Sequence, residues 1–221
     1  MNITEDTFKH QGWRREMVEH LREKGIGDRR VLKAMGEVPR HLFLETMLDY
    51  MAYEDRALPI SCGQTISQPS TVAFQSELLA TEPEMKVLEV GTGSGYQTAV
   101  LCAMKLKVYT IERQKGLFDA TKQRLQRLGY RPKCFLGDGY KGLPEFGPFD
   151  RILVTCGAPE VPEHLVEQLK VGGLMVVPVG DESQEMVCIE KQGEAATDIV
   201  QRRYGDCNFV PMLEKMDYGK R

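Results

Sequence analysis

The sequence lacks several features that would assign a protein to a class at once. None of its 221 residues belongs to an apolar run of the roughly 20 residues that a membrane-spanning helix requires. Its first residues carry acids and have neither the basic region nor the apolar region of a secretory signal. These absences predict a cytoplasmic protein with no membrane partner.

Metal-ligating patterns and a strong charge bias are missing as well. The six cysteines are scattered without a C-x-x-C pair, and the four histidines form no ligand spacing with them, so we expect reduced thiols and no metal. A formal net charge of -3 gives no general attraction for a polyanion, which disfavours nucleic acid as a partner. Proteins and small molecules remain as partners.

The composition is ordinary for a globular protein, with 42% hydrophobic and 28% charged residues. The length fits one domain over residues 1–221, and no repeat or interdomain linker interrupts it. Within this domain we predict a helical cap at 1–52, an active-site loop at 53–69 and an α/β core with C-terminal strands at 70–221. A monomer is the expected state.

The N-terminal part is predicted to be helical. Apolar residues recur at helical spacing over 12–24, Asp28 can cap a second short helix that ends near Pro39, and 42–48 suggests one or two further helical turns. Prolines, glycine and small polar residues then break the pattern between Tyr53 and Pro69. We interpret 53–69 as a long functional loop without a regular element.

Strands and helices alternate in the rest of the chain. The predicted strands are 86–90, 107–111, 132–136, 151–155 and 174–179, and the predicted helices are 70–81, 95–104, 114–128 and 162–169. This alternation predicts an α/β fold with a mostly parallel, doubly wound sheet. The segments 185–191 and 197–204 alternate apolar and polar residues, which is typical of two antiparallel strands at the end of such a sheet.

A glycine-rich loop follows the first core strand, in the segment KVLEVGTGSGYQTAV. Glycine at 91, 93 and 95 allows a tight turn that brings backbone N–H groups and a helix N-terminus close to a ligand. Glu112 ends the next strand 21 positions after Gly91, near the interval at which an acid binds a ribose in nucleoside-binding folds. The alternatives are a plain tight turn and a surface acid paired with Arg113.

The details of this loop discriminate between nucleoside ligands. Its third glycine is at the fifth motif position, whereas the dinucleotide-binding fingerprint G-x-G-x-x-G/A requires a small residue at the sixth. The sixth position here is Tyr96, whose side chain would obstruct the close packing of helix against strand that dinucleotide-binding folds have there. Glu89 would bring negative charge near a pyrophosphate, whereas it would attract a ligand with a sulfonium and an ammonium group. The loop therefore favours S-adenosylmethionine over NAD.

Together, these motifs resemble the protein-L-isoaspartate (D-aspartate) O-methyltransferase family. The similarity runs in order through ALPISCGQTISQP at 57–69, the glycine loop, GDG at 137–139, the segment containing GAPEVP at 148–180, and FVP at 209–211. It implies a Rossmann-like methyltransferase fold, S-adenosylmethionine as cofactor and methylation of isoaspartyl residues in damaged proteins, with D-aspartyl residues as a further acceptor left open. Three positions depart from the family pattern: Ser61, Cys62 and Asn208.

The resemblance also implies roles for individual residues. Ser67 is implied to be the active-site serine. The implied cofactor-binding residues are Glu89, Gly91, Gly93 and Ser94 at the methionine end, Glu112 at the ribose, and Gly137 and Asp138 at the adenine. The implied substrate-binding residues are Thr65, Ala158, Pro159, Val210 and Pro211.

The chemistry is consistent with these residue types. A carboxylate acceptor is already ionised at neutral pH and needs no general base, which explains why no histidine except His164 lies in the motifs. Ser67 could instead cap the following helix, although Ser70 could take that role, and Asp138 could belong to an ordinary turn. The other functions that we considered are methylation of a small molecule or RNA, a catalytically silent cofactor-binding module, and an NAD-dependent oxidoreductase.

Overall fold

Residues 5–218 are described by a computed structural model, so the outermost residues of the predicted cap and core, 1–4 and 219–221, lie outside the described residues. The described strands are β1 Leu58–Pro59, β2 Thr65–Ile66, β3 Lys86–Val90, β4 Lys107–Glu112, β5 Lys133–Leu136, β6 Phe149–Val154, β7 Leu169–Val179, β8 Gln184–Lys191 and β9 Ile199–Cys207. The α-helices are α1 Phe8–Glu23, α2 Arg29–Glu37, α3 Pro69–Leu78, α4 Tyr96–Ala103, α5 Lys115–Arg127 and α6 Glu163–Glu167.

Seven of these strands form one sheet in the order β5-β4-β3-β6-β7-β8-β9. The first five strands in this order are parallel, whereas β8 and β9 are antiparallel to their neighbours. The fold is therefore the predicted Rossmann-like methyltransferase fold with antiparallel C-terminal strands. β3 and β6 are buried over most of their length because the sheet is covered on both faces, although each strand contains two charged residues.

The two faces of the sheet carry separate hydrophobic clusters. Val87 and Leu153 point into a cluster that also contains apolar residues of α1, α2, α3 and α4. Leu88 and Ile152, their neighbours along the strands, point into the opposite cluster with Leu165 of α6. The period of two along each strand thus attaches the N-terminal helices to one face of the sheet.

Several predicted boundaries are wrong, and side-chain caps explain some of them. α1 begins at Phe8 rather than at 12, because Thr7 and His10 form a capping box that extends the helix by one turn. Asp28 caps α2 as predicted. α3 begins at Pro69 inside the loop pattern, and the N–H of Ser70 donates to the carboxylate of Asp55, so Ser70 is not the cap.

The loop at 53–69 contains regular structure that the sequence did not indicate. β1 and β2 pair antiparallel, and a 3-10 turn at Ser61–Gly63 connects them. The turn closes because Cys62 adopts a left-handed conformation with φ 58°, and the N–H of Ile60 donates to the carbonyl of Gln64. The prediction of an irregular loop is therefore wrong for these residues.

Other segments differ in length or type. The predicted helical turns at 42–48 are two 3-10 helices, Arg40–Phe43 and Thr46–Met51. The helix predicted at 162–169 is shortened to α6, and the strand predicted at 174–179 begins at Leu169. β7 includes Gly172 and Gly173, and the register between β6 and β7 shifts next to them, between Phe149 and Arg151. No helix within residues 5–218 is both long and apolar enough to cross a membrane.

A buried polar cluster joins α1 to the 3-10 helices. The rings of His10 and His41 stack with centroids 3.8 Å apart, His10 Nε2 lies 2.9 Å from Asp49 Oδ2, and His41 Nδ1 lies 2.8 Å from the hydroxyl of Tyr53. Arg14 donates to the carboxylate of Asp6 and to the hydroxyl of Tyr53. Burial, and secondarily the neighbouring His10, lowers the pKa of His41 to about 4.

This lowered pKa predicts acid sensitivity of the helical cap. His41 takes up a proton near pH 6.5 in the unfolded chain and near pH 4 in the folded chain. Its contribution to the free energy of unfolding is therefore fully present above pH 6.5 and is lost as the pH falls from 6.5 to 4. Between pH 7 and 5 the protonation of this one group should lower the free energy of unfolding by about 2 kcal/mol. His41→Phe, which keeps a ring against His10, should remove that part of the loss in urea unfolding at the two pH values. An equal loss in variant and wild type would contradict this assignment.

Candidate active site

A cleft lies where β3, β4 and β6 end, at the carboxyl edge of the parallel sheet. It holds about 890 Å³ of empty space, part of which is open to solvent. Most of its lining comes from five segments: 64–67 of the loop, 90–94 of the glycine loop, 111–114 after β4, 155–156 after β6 and 210–213 near the C-terminus. Four further residues complete the lining: Val72, Tyr96, Gln97 and Gly139. Ligands bind at this edge in open α/β sheets, so the cleft lies where a cofactor is expected.

Close packing explains two of the glycines in the loop. Gly91 has φ +98°, and a Cβ there would lie 2.5 Å from Thr155 Oγ1. Gly95, the N-cap of α4, has φ +86°, and a Cβ there would lie 2.6 Å from Thr121 Cγ2 of α5. Side chains are therefore excluded at both positions, and the backbone itself forms the wall of the cleft.

The carboxylate of Glu112 is fixed at this wall. Its Oε2 accepts from the N–H of Gly93 at 2.9 Å, and its Oε1 accepts from the N–H of Gln114 at 2.9 Å. Arg113 donates from Nε to the carbonyl of Lys215, so the alternative ion pair with Glu112 is not formed. Each carboxylate oxygen keeps a lone pair for a ligand, and two such acceptors suit the vicinal hydroxyls of a ribose.

Glu89 lies below the cleft and does not line it. Its side chain is fully buried on the face of β3 that α4 covers, and Thr98 Oγ1 donates to its Oε2 at 2.5 Å. Burial raises the pKa of Glu89 to about 7, because a carboxylate is disfavoured in an apolar environment. Its contact with the cofactor stays a prediction, since the described side chain is directed into the protein.

The other predicted site residues divide into two groups. Those that line the cleft are Thr65, Ser67, Gly91, Gly93, Ser94, Val210 and Pro211. Those outside the lining are Gly137, Asp138, Ala158 and Pro159. Asp138 accepts from the N–H groups of Tyr140 and Lys215, and Ala158 pairs with Val179, so both contribute to the framework around the cleft.

Ser67 is not the cap of the helix that follows it. The N-cap of α3 is Gln68, whose side chain makes no capping hydrogen bond, and it is the Asp55 carboxylate that accepts from the N–H of Ser70 in the first turn. Because Ser67 lies among the cleft residues, its hydroxyl is available to a ligand rather than to the helix N-terminus. Its catalytic role stays a prediction that this position supports.

Residues that sequence reasoning did not single out also line the cleft, among them Gln97, Gln114, Thr155, Cys156 and Met212. Thr155 and Cys156 follow the carboxyl end of β6, so the rule on strand ends could have indicated them. Burial raises the pKa of Cys156 to about 12, which keeps its thiol protonated and unreactive as a nucleophile at neutral pH.

The sheet topology, the glycine loop and the Glu112 carboxylate together define a methyltransferase of the Rossmann-like class. The chain belongs to the protein-L-isoaspartate(D-aspartate) O-methyltransferase family, whose model matches residues 12–217. This family depends on S-adenosylmethionine, and the fixed ribose-type acceptor in the cleft fits this cofactor.

Curated relatives extend over nearly the whole chain. The protein-L-isoaspartate O-methyltransferase of Christiangramia forsetii is 54% identical over 95% of this chain and 98% of its own length. The enzyme of the same name from Cytophaga hutchinsonii is 53% identical over 96% and 95%.

Solved structures agree with these relatives. A protein-L-isoaspartate O-methyltransferase superposes with a TM-score of 0.81 at 33% identity, and the match covers 90% of this chain but only 65% of that one. A Plasmodium falciparum structure described as a putative member, in complex with S-adenosyl-L-homocysteine, gives a TM-score of 0.78 at 27% identity over 92% of this chain and 98% of that one.

The position of Glu112 predicts its contribution to cofactor binding. Glu112→Ala should weaken S-adenosylmethionine binding by about 1.5 to 3 kcal/mol, because charged hydrogen bonds to the ribose are lost. Glu112→Gln, which keeps one oxygen acceptor, should fall between this variant and wild type in calorimetry. Asp119→Ala, which removes an exposed acid of α5, is the control. Unchanged affinity in Glu112→Ala would remove this residue from the site.

The raised pKa of Glu89 predicts an unusual pH dependence of stability. The folded chain holds this proton up to about pH 7, whereas the unfolded chain releases it near 4.5, so stability falls as the pH rises through this window. Glu89→Gln should therefore stabilise the protein by about 2 to 3 kcal/mol at pH 8 and by much less at pH 4.5 in chemical denaturation. A gain that does not change with pH would contradict a buried carboxyl with a raised pKa.

Proposed function

We propose that this chain transfers a methyl group from S-adenosylmethionine to the free α-carboxylate of L-isoaspartyl residues in damaged proteins, and so initiates their repair. The observation that carries the proposal is one cleft in which the glycine loop, Glu112 and the Ser67 loop meet. Membership of the family supports the identity of the acceptor.

The residues around the cleft suit an acceptor that needs no activation. A carboxylate with a pKa near 4 is ionised at neutral pH, so catalysis depends on positioning rather than on a general base. Among the described residues that line the cleft there is no histidine, and the thiol of Cys156 stays protonated. The cleft therefore needs to align the acceptor anion but does not need to remove a proton from it.

S-adenosylmethionine supplies the methyl group on a sulfonium when it is bound. On the protein side, the Ser67 hydroxyl donates one hydrogen bond to the acceptor carboxylate and orients one of its oxygens for an in-line approach. Thr65 lies in the same loop, and Val210 and Pro211 form another part of the wall. Their apolar surface removes water from the carboxylate, which favours its approach to a cation.

Selectivity follows from the length of the acceptor arm. In isoaspartate the main chain runs through the side-chain carbonyl, so the free carboxylate is one methylene closer to the backbone than in aspartate. A displacement of about 1 Å can cost on the order of 100-fold in rate when the reacting atoms must be aligned. A cleft that fits the shorter arm therefore excludes the normal aspartyl side chain.

We also propose that the protein acts as a monomer in the cytoplasm. All six cysteines are unpaired, which suits a reducing compartment. The cleft is formed by segments of one chain, so no second copy is needed to complete it.

Two peptides that differ only in Asp against isoAsp test the acceptor. With labelled cofactor, the isoAsp peptide should be methylated and its Asp twin should show no detectable product. Equal labelling of the two peptides would refute the proposed function.

A separate pair of variants tests the serine. Ser67→Ala should lower kcat about 10- to 100-fold, the effect of one charge-assisted hydrogen bond, with little change in the KM for cofactor. Ser70→Ala, a nearby serine outside the cleft lining, should retain wild-type kcat. Full activity in Ser67→Ala would refute only the role of this side chain.

A further inference from the structure

Gln97 presents an unpaired oxygen beside the cleft. It belongs to α4, two residues after Gly95, and it is only 8% exposed although it lines the cleft. Its Nε2 donates to Ser76 Oγ of α3 at 2.9 Å. Its Oε1 is buried and has no hydrogen-bond partner among the described residues.

The neighbouring serine fixes the orientation of this amide. Ser76 Oγ donates its single hydrogen to the carbonyl of Val72 at 2.7 Å, so it can only accept from Gln97. The amide nitrogen of Gln97 must therefore face Ser76, and the oxygen must face away from it. An amide flip would place two acceptors against each other and would not satisfy the oxygen.

A buried acceptor without a donor is unfavourable, and buried polar groups in folded proteins are nearly always paired. Because Gln97 lines the cleft, a bound ligand with an N–H group can supply the missing donor with a small side-chain movement. The unpaired oxygen thus indicates a ligand contact rather than a purely structural role.

The chemistry of the cofactor narrows the identity of this donor. S-adenosylmethionine carries hydrogen-bond donors on the adenine, on the ribose and as an α-ammonium next to the sulfonium end. Glu112 is the carboxylate that lines the described part of the cleft, and its geometry suits the ribose. Glu89 lies below the cleft, so its carboxyl is not presented to an ammonium there.

Gln97 and Ser67 line the same cleft. Its hydrogen bond to Ser76 joins α4 to α3, the helix that begins directly after Ser67 and Gln68. Resting on the proposed function, we propose that Gln97 Oε1 accepts a hydrogen bond from the α-ammonium group of S-adenosylmethionine. This contact orients the methionine arm and thereby directs the methyl group towards Ser67.

A double-mutant cycle with ligand analogues tests this contact without turnover. The probes are S-adenosylhomocysteine, its analogue that lacks only the amino group, and 5′-methylthioadenosine, which lacks the whole amino-acid end. Gln97→Met should weaken S-adenosylhomocysteine about 10-fold and leave methylthioadenosine within about twofold in calorimetry. Removal of the amino group from the ligand should lower its affinity for the wild-type protein but change its affinity for Gln97→Met little.

Gln75→Met is the matched control. Gln75 is a buried glutamine of α3 whose Oε1 is also unpaired, but it does not line the cleft. This variant should keep the wild-type response to all three probes. If Gln97→Met does not fold, Gln97→Glu replaces it, and a carboxylate at this position should increase the affinity lost on removal of the amino group.

Other outcomes would overturn the proposal in distinguishable ways. If the ligand loses the same affinity on removal of its amino group in wild type and in Gln97→Met, the oxygen of Gln97 does not contact the ammonium. Unchanged S-adenosylhomocysteine affinity with a raised KM for the isoaspartyl peptide would assign the oxygen to the acceptor instead. Failure of wild type to bind any of the three probes would refute the proposed function itself.

Discussion

The hydrogen bonds of the Glu112 carboxylate to the N–H groups of Gly93 and Gln114 are the interaction on which the cleft depends. They connect the glycine loop and the start of α5 to the end of β4. From α5, Thr121 donates to the carbonyl of Gly93 and Arg124 donates to the carbonyl of Ser94. The glycine loop is therefore hydrogen-bonded to its surroundings through an N–H group and through carbonyl groups. A loop that would otherwise sample many conformations is thus ordered before a ligand arrives, and little entropy is lost on binding.

Two acids on adjacent strands have opposite environments. Glu112, at the end of β4, accepts hydrogen bonds from two backbone N–H groups at the wall of the cleft. Glu89, in the interior of β3, keeps its proton to about pH 7 because burial disfavours its charge. The charge of Glu112 adds to the effect of burial in raising the pKa of Glu89, so a single carboxylate, that of Glu112, sets the electrostatic character of the ribose end.

The core and the cofactor loop could be predicted from sequence because they depend on local patterns: strand periodicity, the glycine spacing and the interval to Glu112. The pairing of β1 with β2 and the place of Gln97 depend on tertiary contacts that no local pattern contains. The start of α1 depends on a local capping box, in which His10 takes the place of the usual Glu or Gln. Glu89 shows the same limit, since its proximity to the glycines in sequence gave no information on the face of β3 that it occupies. Ser67 and Val210 meet at one cleft only because distant segments end at the same edge of the sheet.

The C-terminal segment has a further consequence. Residues 210–213 line the cleft after the chain has passed through all seven strands of the sheet, and they are held there by hydrogen bonds between Gly157 and both Val210 and Met212. This part of the cleft wall is therefore synthesised after every strand of the sheet. A nascent chain can form its glycine loop and pair its parallel strands before residues 210–213 have been synthesised, so this side of the cleft is added to a sheet that is already present.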